Sequence, residues 1–181
     1  MLFYTVGLPG AGKTTFARNF SHWLNVEHLR ADKIGLELFR FPTFSPQERQ
    51  MVYAEMGRRA GAQLQAGRHV VYDAAVNTKQ QRQQLKALAK QYNCNAVGIW
   101  VDVPIELAKN RAGKLRDRGL VGPVARLLPS HIFDQYAAAF EAPANQENVI
   151  AIAGNACFAL QYRRLVRQLD SAHHILPKLI Q

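Results

Sequence analysis

Eight consecutive residues, Gly7-Leu8-Pro9-Gly10-Ala11-Gly12-Lys13-Thr14, fit the pattern G-x-x-x-x-G-K-S/T without a gap. That combination is built to hold polyphosphate. Glycines at 7, 10 and 12, with Pro9 and Ala11 between them, let the backbone curl until successive N–H groups converge on an anion-sized hollow. A helix starting at Thr14-Thr15 adds its positive N-terminal end. Lys13 is then expected to reach the β- and γ-phosphates, and the Thr14 hydroxyl to join the shell of a Mg²⁺ ion.

Phosphoryl transfer also needs carboxylates, and two stand where strands are expected to end. Asp73 closes Val70-Val71-Tyr72 and suits a metal role, directly or through water. Asp32 follows the second apolar run and suits the base that takes a proton from an acceptor hydroxyl; its structural alternative is a helix cap. Arg111, Arg116 and Arg118 follow Val103-Pro104, with Gly119, Gly122 and Pro123 behind them. A helix and loop carrying arginines over 104–123 reads as a lid that closes on ATP, neutralises the transferring phosphoryl and excludes water. Asn155, in the turn Gly154-Asn155-Ala156, is placed to line an adenine pocket opposite Arg111.

These residues need a scaffold that delivers them to one edge. Short apolar runs at 2–6, 26–30, 69–73, 96–101 and 149–153 alternate with longer amphipathic stretches. The pattern predicts an α/β fold: a five-stranded parallel sheet with helices on both faces and ligands at the carboxyl ends of the strands. Helices are expected over 46–66, 79–92 and 157–169, and from 105 onward. The long one over 46–66 is expected to wall the acceptor pocket, where Arg58 could meet an anionic substrate.

At 181 residues the chain fits one domain over 1–181. No run of about 18 apolar residues appears, so no membrane span is expected. Cys94 and Cys157 are isolated, as core fillers in a reducing compartment would be, which makes the cytoplasm the expected location. Trp23 and Trp100 sit among apolar neighbours and read as core. The formal net charge of +10 fits either a handler of several phosphates or a nucleic-acid partner. No aromatic-interleaved basic stripe accompanies it.

Taken together, residues 7–15, Arg30-Ala31-Asp32, Val70-Val71-Tyr72-Asp73 with Asn77 and Arg82, Val101-Asp102-Val103-Pro104 with the later arginines, and Phe140-Glu141-Ala142-Pro143 with Glu147 carry a resemblance. The chain resembles the small P-loop kinases related to the kinase domain of bacteriophage polynucleotide kinase, a group that includes zeta-toxin-like and AAA-domain proteins. The resemblance implies a P-loop NTPase fold, ATP and Mg²⁺ as cofactors, Asp32 as acceptor-side base, and Arg116 or Arg118 as the arginine on the transferring phosphate. It also implies an acceptor-side place for Arg82. Polynucleotide kinases of this group carry Asp-x-x-Arg, whose arginine grips the acceptor's phosphate; here Gly35 stands at that place. The expected function is therefore ATP-dependent phosphorylation of a hydroxyl acceptor, with a small molecule favoured over a nucleic-acid 5′-hydroxyl. A nucleotide-binding switch, ATPase or nucleic-acid adaptor is the reading from another class. Asp73 is followed by Ala74 and Ala75 rather than by an acid that would activate water, which argues against hydrolysis as the main reaction.

Overall fold

The computed structural model describes residues 1–43, 45–114 and 128–173. The chain alternates strands β1 (Leu2–Val6), β2 (Glu27–Arg30), β3 (Val70–Asp73), β4 (Ala96–Asp102) and β5 (Val149–Ala153) with helices α1 (Lys13–Leu24), α2 (Ala31–Leu38), α3 (Pro46–Gln65), α4 (Lys79–Gln91), α5 (Ile105–Lys114), α6 (Ser130–Ala138) and α7 (Phe158–His173). All paired strands run parallel, in the order β2-β3-β1-β4-β5. The five strands fall on the runs that apolar patterning marks. β2 and β3 each begin one residue later than expected, and β4 extends one residue further, to Asp102.

β1 is central and wholly buried because both of its faces are covered. Leu2, Tyr4 and Val6 face one core with Val52, Met56 and Leu64 of α3 and Leu85 of α4. Phe3 faces the other, with Phe16 and Phe20 of α1 and Leu165 and Leu169 of α7. Phe3 and Phe20 meet edge to face at 5.1 Å between ring centroids. Apolar residues every second position in the strand and every third or fourth in the helices thus account for two cores on one sheet.

Local signals set the helix ends. The Ser45 side chain accepts from Glu48 N at 3.2 Å, with Pro46 in the first turn of α3. Thr78 and Gln81 form a reciprocal capping box on α4. α1 stops where Asn25 turns left-handed at φ 51°.

Two expectations about single residues are corrected. Trp23 is 66% exposed: it lies on the outer side of α1 against Tyr162, with ring centroids 5.5 Å apart. Trp100 does pack inward, against Phe140. Cys157 is exposed rather than a core filler, whereas Cys94 packs partly buried against the α3–α4 core. α6 was not anticipated. Its Phe133 closes a third, small core with Ala108 and Ala112 of α5, and Leu8 packs against that core. No helix among the described residues is long and apolar enough to cross a membrane.

Candidate active site

The loop between β1 and α1 lies at the carboxyl edge of the sheet, where the chain departs from the central strand. Gly7, Gly10 and Gly12 adopt φ of 138°, 78° and 103°, in the range that suits glycine. At Gly10 the demand is double, because a Cβ there would run into the Ala108 carbonyl and lie 2.8 Å from Ala112 N. The phosphate loop is therefore pressed against α5, the base of the expected lid. Gly12 caps α1 without a side chain, and no acidic residue occupies the first turn of that helix. Its positive end is left to an incoming anion.

Lys13 leans back over the loop. Its Nζ donates to Gly7 O at 2.8 Å and Leu8 O at 3.0 Å. Withdrawal from solvent lowers the ammonium pKa from 10.5 to about 8, and the nearby negative charge of Asp73 opposes part of that shift. Curled glycines, an uncompensated helix end and an enclosed lysine fit a nucleotide's phosphates. The Thr14 hydroxyl and the Asp73 carboxylate are hard oxygen donors of the type that Mg²⁺ takes together with substrate phosphates, and they are the residues that could hold that ion. No group of three or more His, Cys, Asp or Glu that could cage a metal occurs among the described residues.

Asp73 is buried and already oriented. Thr5 Oγ1 donates to its Oδ1 at 3.3 Å, and His28 Nε2 lies 3.1 Å from its Oδ2. Asp32 sits in the first turn of α2 rather than at its cap, which is Arg30. Arg30 grips it with two donors, Nε to Oδ1 at 3.0 Å and the terminal nitrogen to Oδ2. The Lys33 N–H also reaches Asp32 Oδ1 at 2.9 Å.

Three arginines behave differently from one another. Arg111 on α5 donates to Gly154 O at 3.1 Å, so α5 and the turn after β5 meet. Asn155, next in that turn, borders a cavity of about 530 Å³ that Asp102, Pro104 and Arg164 also line. Arg82, expected on the acceptor side, is instead spent within the protein. Its side chain is 1% exposed, pairs with Glu147 at 2.7 Å and 2.9 Å, and donates to the carbonyls of Asn77 and Glu141. Arg58 pairs with Glu55 one turn away and stays largely exposed, with no link to Asp32. Arg116 and Arg118 lie outside the described residues.

Sequence reasoning gave no role to Asn77 in the phosphate loop. Its Oδ1 accepts from the Gly7 N–H at 3.1 Å, across 70 positions of chain. Only the pairing of β1 with β3 brings the two together.

A profile of the AAA domain family matches residues 2–143. The chain belongs to that family. Among solved structures, this AAA-domain chain is similar to a gluconokinase from Sinorhizobium meliloti 1021. The TM-score is 0.70 at 14% identity, over 96% of this chain and 94% of that one. It is similar to a sugar kinase from Janibacter sp. HTCC2649, with a TM-score of 0.67 at 18% identity over 96% of both chains. Kti12 of Chaetomium thermophilum, solved in complex with ADP-AlF3, matches with a TM-score of 0.64 at 17% identity over 94% of this chain and 98% of that one. Likeness at these identities establishes the fold: the AAA-domain chain has the P-loop NTPase fold seen in small kinases.

Proposed function

We propose that the chain is an ATP-dependent phosphotransferase acting on a hydroxyl of a small molecule, with residues 1–181 working as one domain. The observation that carries this reading is Lys13. An ammonium folded against Gly7 O and Leu8 O, at the open end of α1, is a cation kept where polyphosphate would sit. In the proposed reaction the acceptor oxygen attacks the γ-phosphorus, and its new P–O bond forms as the bond to the β,γ-bridging oxygen breaks. ADP departs with that electron pair, and Asp32 takes the acceptor's proton. Arg30, held on both oxygens of Asp32, fixes the direction in which that carboxylate faces. Lys13 and a lid arginine, Arg116 or Arg118, oppose the charge on the transferring group. Thr14 and Asp73 would hold Mg²⁺, which neutralises phosphate charge when bound. Arg111 and Asn155 would flank the base.

The gluconokinase and the sugar kinase among the similar structures favour a polyol or sugar acid as acceptor. A net charge of +10 favours a second reading, a polynucleotide 5′-hydroxyl, with Arg30 beside Asp32 supplying the arginine that Gly35 does not. Isolated cysteines fit the reducing cytoplasm, where ATP is abundant. The deciding experiment incubates the protein with γ-labelled ATP and Mg²⁺, a panel of sugars and sugar acids, and a 5′-hydroxyl oligonucleotide, beside a Lys13→Ala control. Label on a small molecule, lost in the control, supports the first reading, and label on the oligonucleotide supports the second. Label on neither, with ATP still bound, overturns phosphotransfer and leaves a nucleotide switch or adaptor.

A further inference from the structure

The buried amide of Asn77 is only half used. Its backbone N–H donates to Gln81 Oε1 at 2.9 Å, and its carbonyl accepts from Arg82 at 3.3 Å and from the Glu141 N–H at 3.0 Å. Its Oδ1 accepts from Gly7 N. That contact fixes which way the amide faces, because a backbone N–H can only donate and so must meet the oxygen. The other end, Nδ2, is buried and has no hydrogen-bond partner among the described residues. Buried donors are rarely left unpaired, since removing one from water without replacement is costly.

The position of this donor narrows what it serves. Gly7 opens the phosphate loop and is held at both ends: Asn77 takes its N–H while Lys13 Nζ reaches its carbonyl at 2.8 Å. Nδ2 and the Lys13 ammonium therefore flank the same residue at the strand end of the loop. The anchor is also rigid. Arg82, itself paired with Glu147, donates to the Asn77 carbonyl, and Gln81 of the capping box accepts its N–H. A donor preorganised to this degree, with its acceptor missing, is what a phosphate-binding group looks like before substrate arrives.

We propose that Asn77 Nδ2 is a further substrate-binding donor, taking an oxygen of the terminal phosphoryl group of a bound nucleoside triphosphate while Oδ1 holds Gly7 in place. The proposal rests on the phosphotransferase reading above and adds a group to it. It separates a triphosphate from a diphosphate, because only the former offers that oxygen.

The test is calorimetric titration of wild type, Asn77→Asp and Asn77→Ala with ADP and with the non-hydrolysable triphosphate analogue AMP-PNP, both with Mg²⁺. Asn77→Asp keeps an acceptor for Gly7 and removes the donor; Asn77→Ala removes both without adding charge. Thermal melting confirms that each variant is folded, and Asn77→Ser replaces alanine if that variant is not. In both variants the AMP-PNP dissociation constant should rise about 10–100-fold more than that of ADP, the effect of losing one hydrogen bond to a charged group. Parallel loss of both nucleotides, no loss of either, or selectivity in only one variant would mean that Asn77 merely clamps the loop, or that a water satisfies Nδ2. Any of these overturns the proposal while nucleotide binding by wild type stands. Wild type binding neither nucleotide would instead overturn the phosphotransferase reading itself.

Discussion

Lys13 carries a cost that the nucleotide-free protein has no use for. Burial pulls its pKa from 10.5 to about 8, so the fold disfavours the charged form. The sign of the pH dependence follows. Below pH 8 the folded state bears the full penalty of a partly buried ammonium; between pH 8 and 10.5 the penalty is relieved as the folded form sheds its proton before the unfolded one. Lys13→Met should therefore lose nucleotide binding yet raise unfolding stability at pH 7 by about 1–2 kcal/mol, a figure reduced for the two carbonyl contacts that also go. Urea denaturation checks it; an unchanged or lower midpoint would mean that the carbonyl contacts outweigh burial. Phosphates should restore the charge. Binding of ATP at pH 8.5 is expected to take up protons, read as a calorimetric enthalpy that changes with the buffer's ionisation enthalpy, and affinity should weaken as pH rises above 8. A buffer-independent enthalpy counts against a proton-linked Lys13. The lysine and its loop were legible because the whole motif is contiguous in the chain. The surroundings of Asp73 were not. Thr5 comes from β1 and His28 from β2, and only the register of three parallel strands sets them on one carboxylate. Arg82 misled for the same reason: its partner Glu147 lies 65 positions away.

Between elements, the decisive contacts are close approaches that periodicity does not reveal. The sheet and most of its helices follow from apolar spacing, because a strand buried on both faces and an amphipathic helix each leave a long signal. α6 leaves little. It is nine residues long, and only its Phe133 is fully buried, against α5. The packing of α5 on the phosphate loop is likewise invisible until Gly10 is seen to have no room for a methyl group beside Ala108. Gly10→Ala must either push α5 away or distort a loop at φ 78°, and the two together are expected to cost about 2–4 kcal/mol and to weaken nucleotide binding. Thermal melting with and without ATP reads both, and wild-type behaviour in each would show that the two elements do not depend on each other. The Arg82–Glu147 pair ties α4 to the segment before β5. Arg82→Ala leaves a carboxylate stranded and should destabilise by about 3–5 kcal/mol. The hydrogen bonds of Arg82 hold the Glu147 carboxyl down to about 2, so its contribution is complete above the ordinary value of 4.5 and fades as pH falls from 4.5 toward 2. Wild type should therefore lose stability over that window more steeply than Glu147→Gln, and equal slopes in the two proteins would remove the pair from the account.

Across the whole molecule, the elements that bear the proposed phosphate, metal, base and adenine residues among the described ones root at the same edge of one sheet. β1 ends in the phosphate loop, β2 leads to Asp32, β3 ends in Asp73, β4 leads into α5 with Arg111, and β5 ends beside Asn155. The strand order puts β1 between β3 and β4, so the loop sits at the centre of that edge, on a strand that contributes to the core on each face. A ligand that joins these ends touches segments from most of the chain, which makes binding a constraint on the molecule rather than on a loop. If residues 1–181 unfold as one domain, saturating nucleotide must shift the whole transition. At a free concentration of 100 times its dissociation constant a ligand adds about 2.7 kcal/mol to the folded state. For a chain of this size that moves the melting midpoint by about 5–11 °C. The expected result is a single cooperative transition that shifts intact with Mg²⁺ and ATP, and does not shift in Lys13→Met. Two transitions, of which only one moved with ATP, would divide the chain into units and place the nucleotide site in one of them. Linkage also separates the charge readings. Stabilisation by a 5′-hydroxyl oligonucleotide without ATP, falling steeply as salt rises, would mean that the net charge of +10 serves a nucleic acid directly. Stabilisation by ATP that survives salt, with no response to the oligonucleotide, ties the positive charge to nucleotide phosphates.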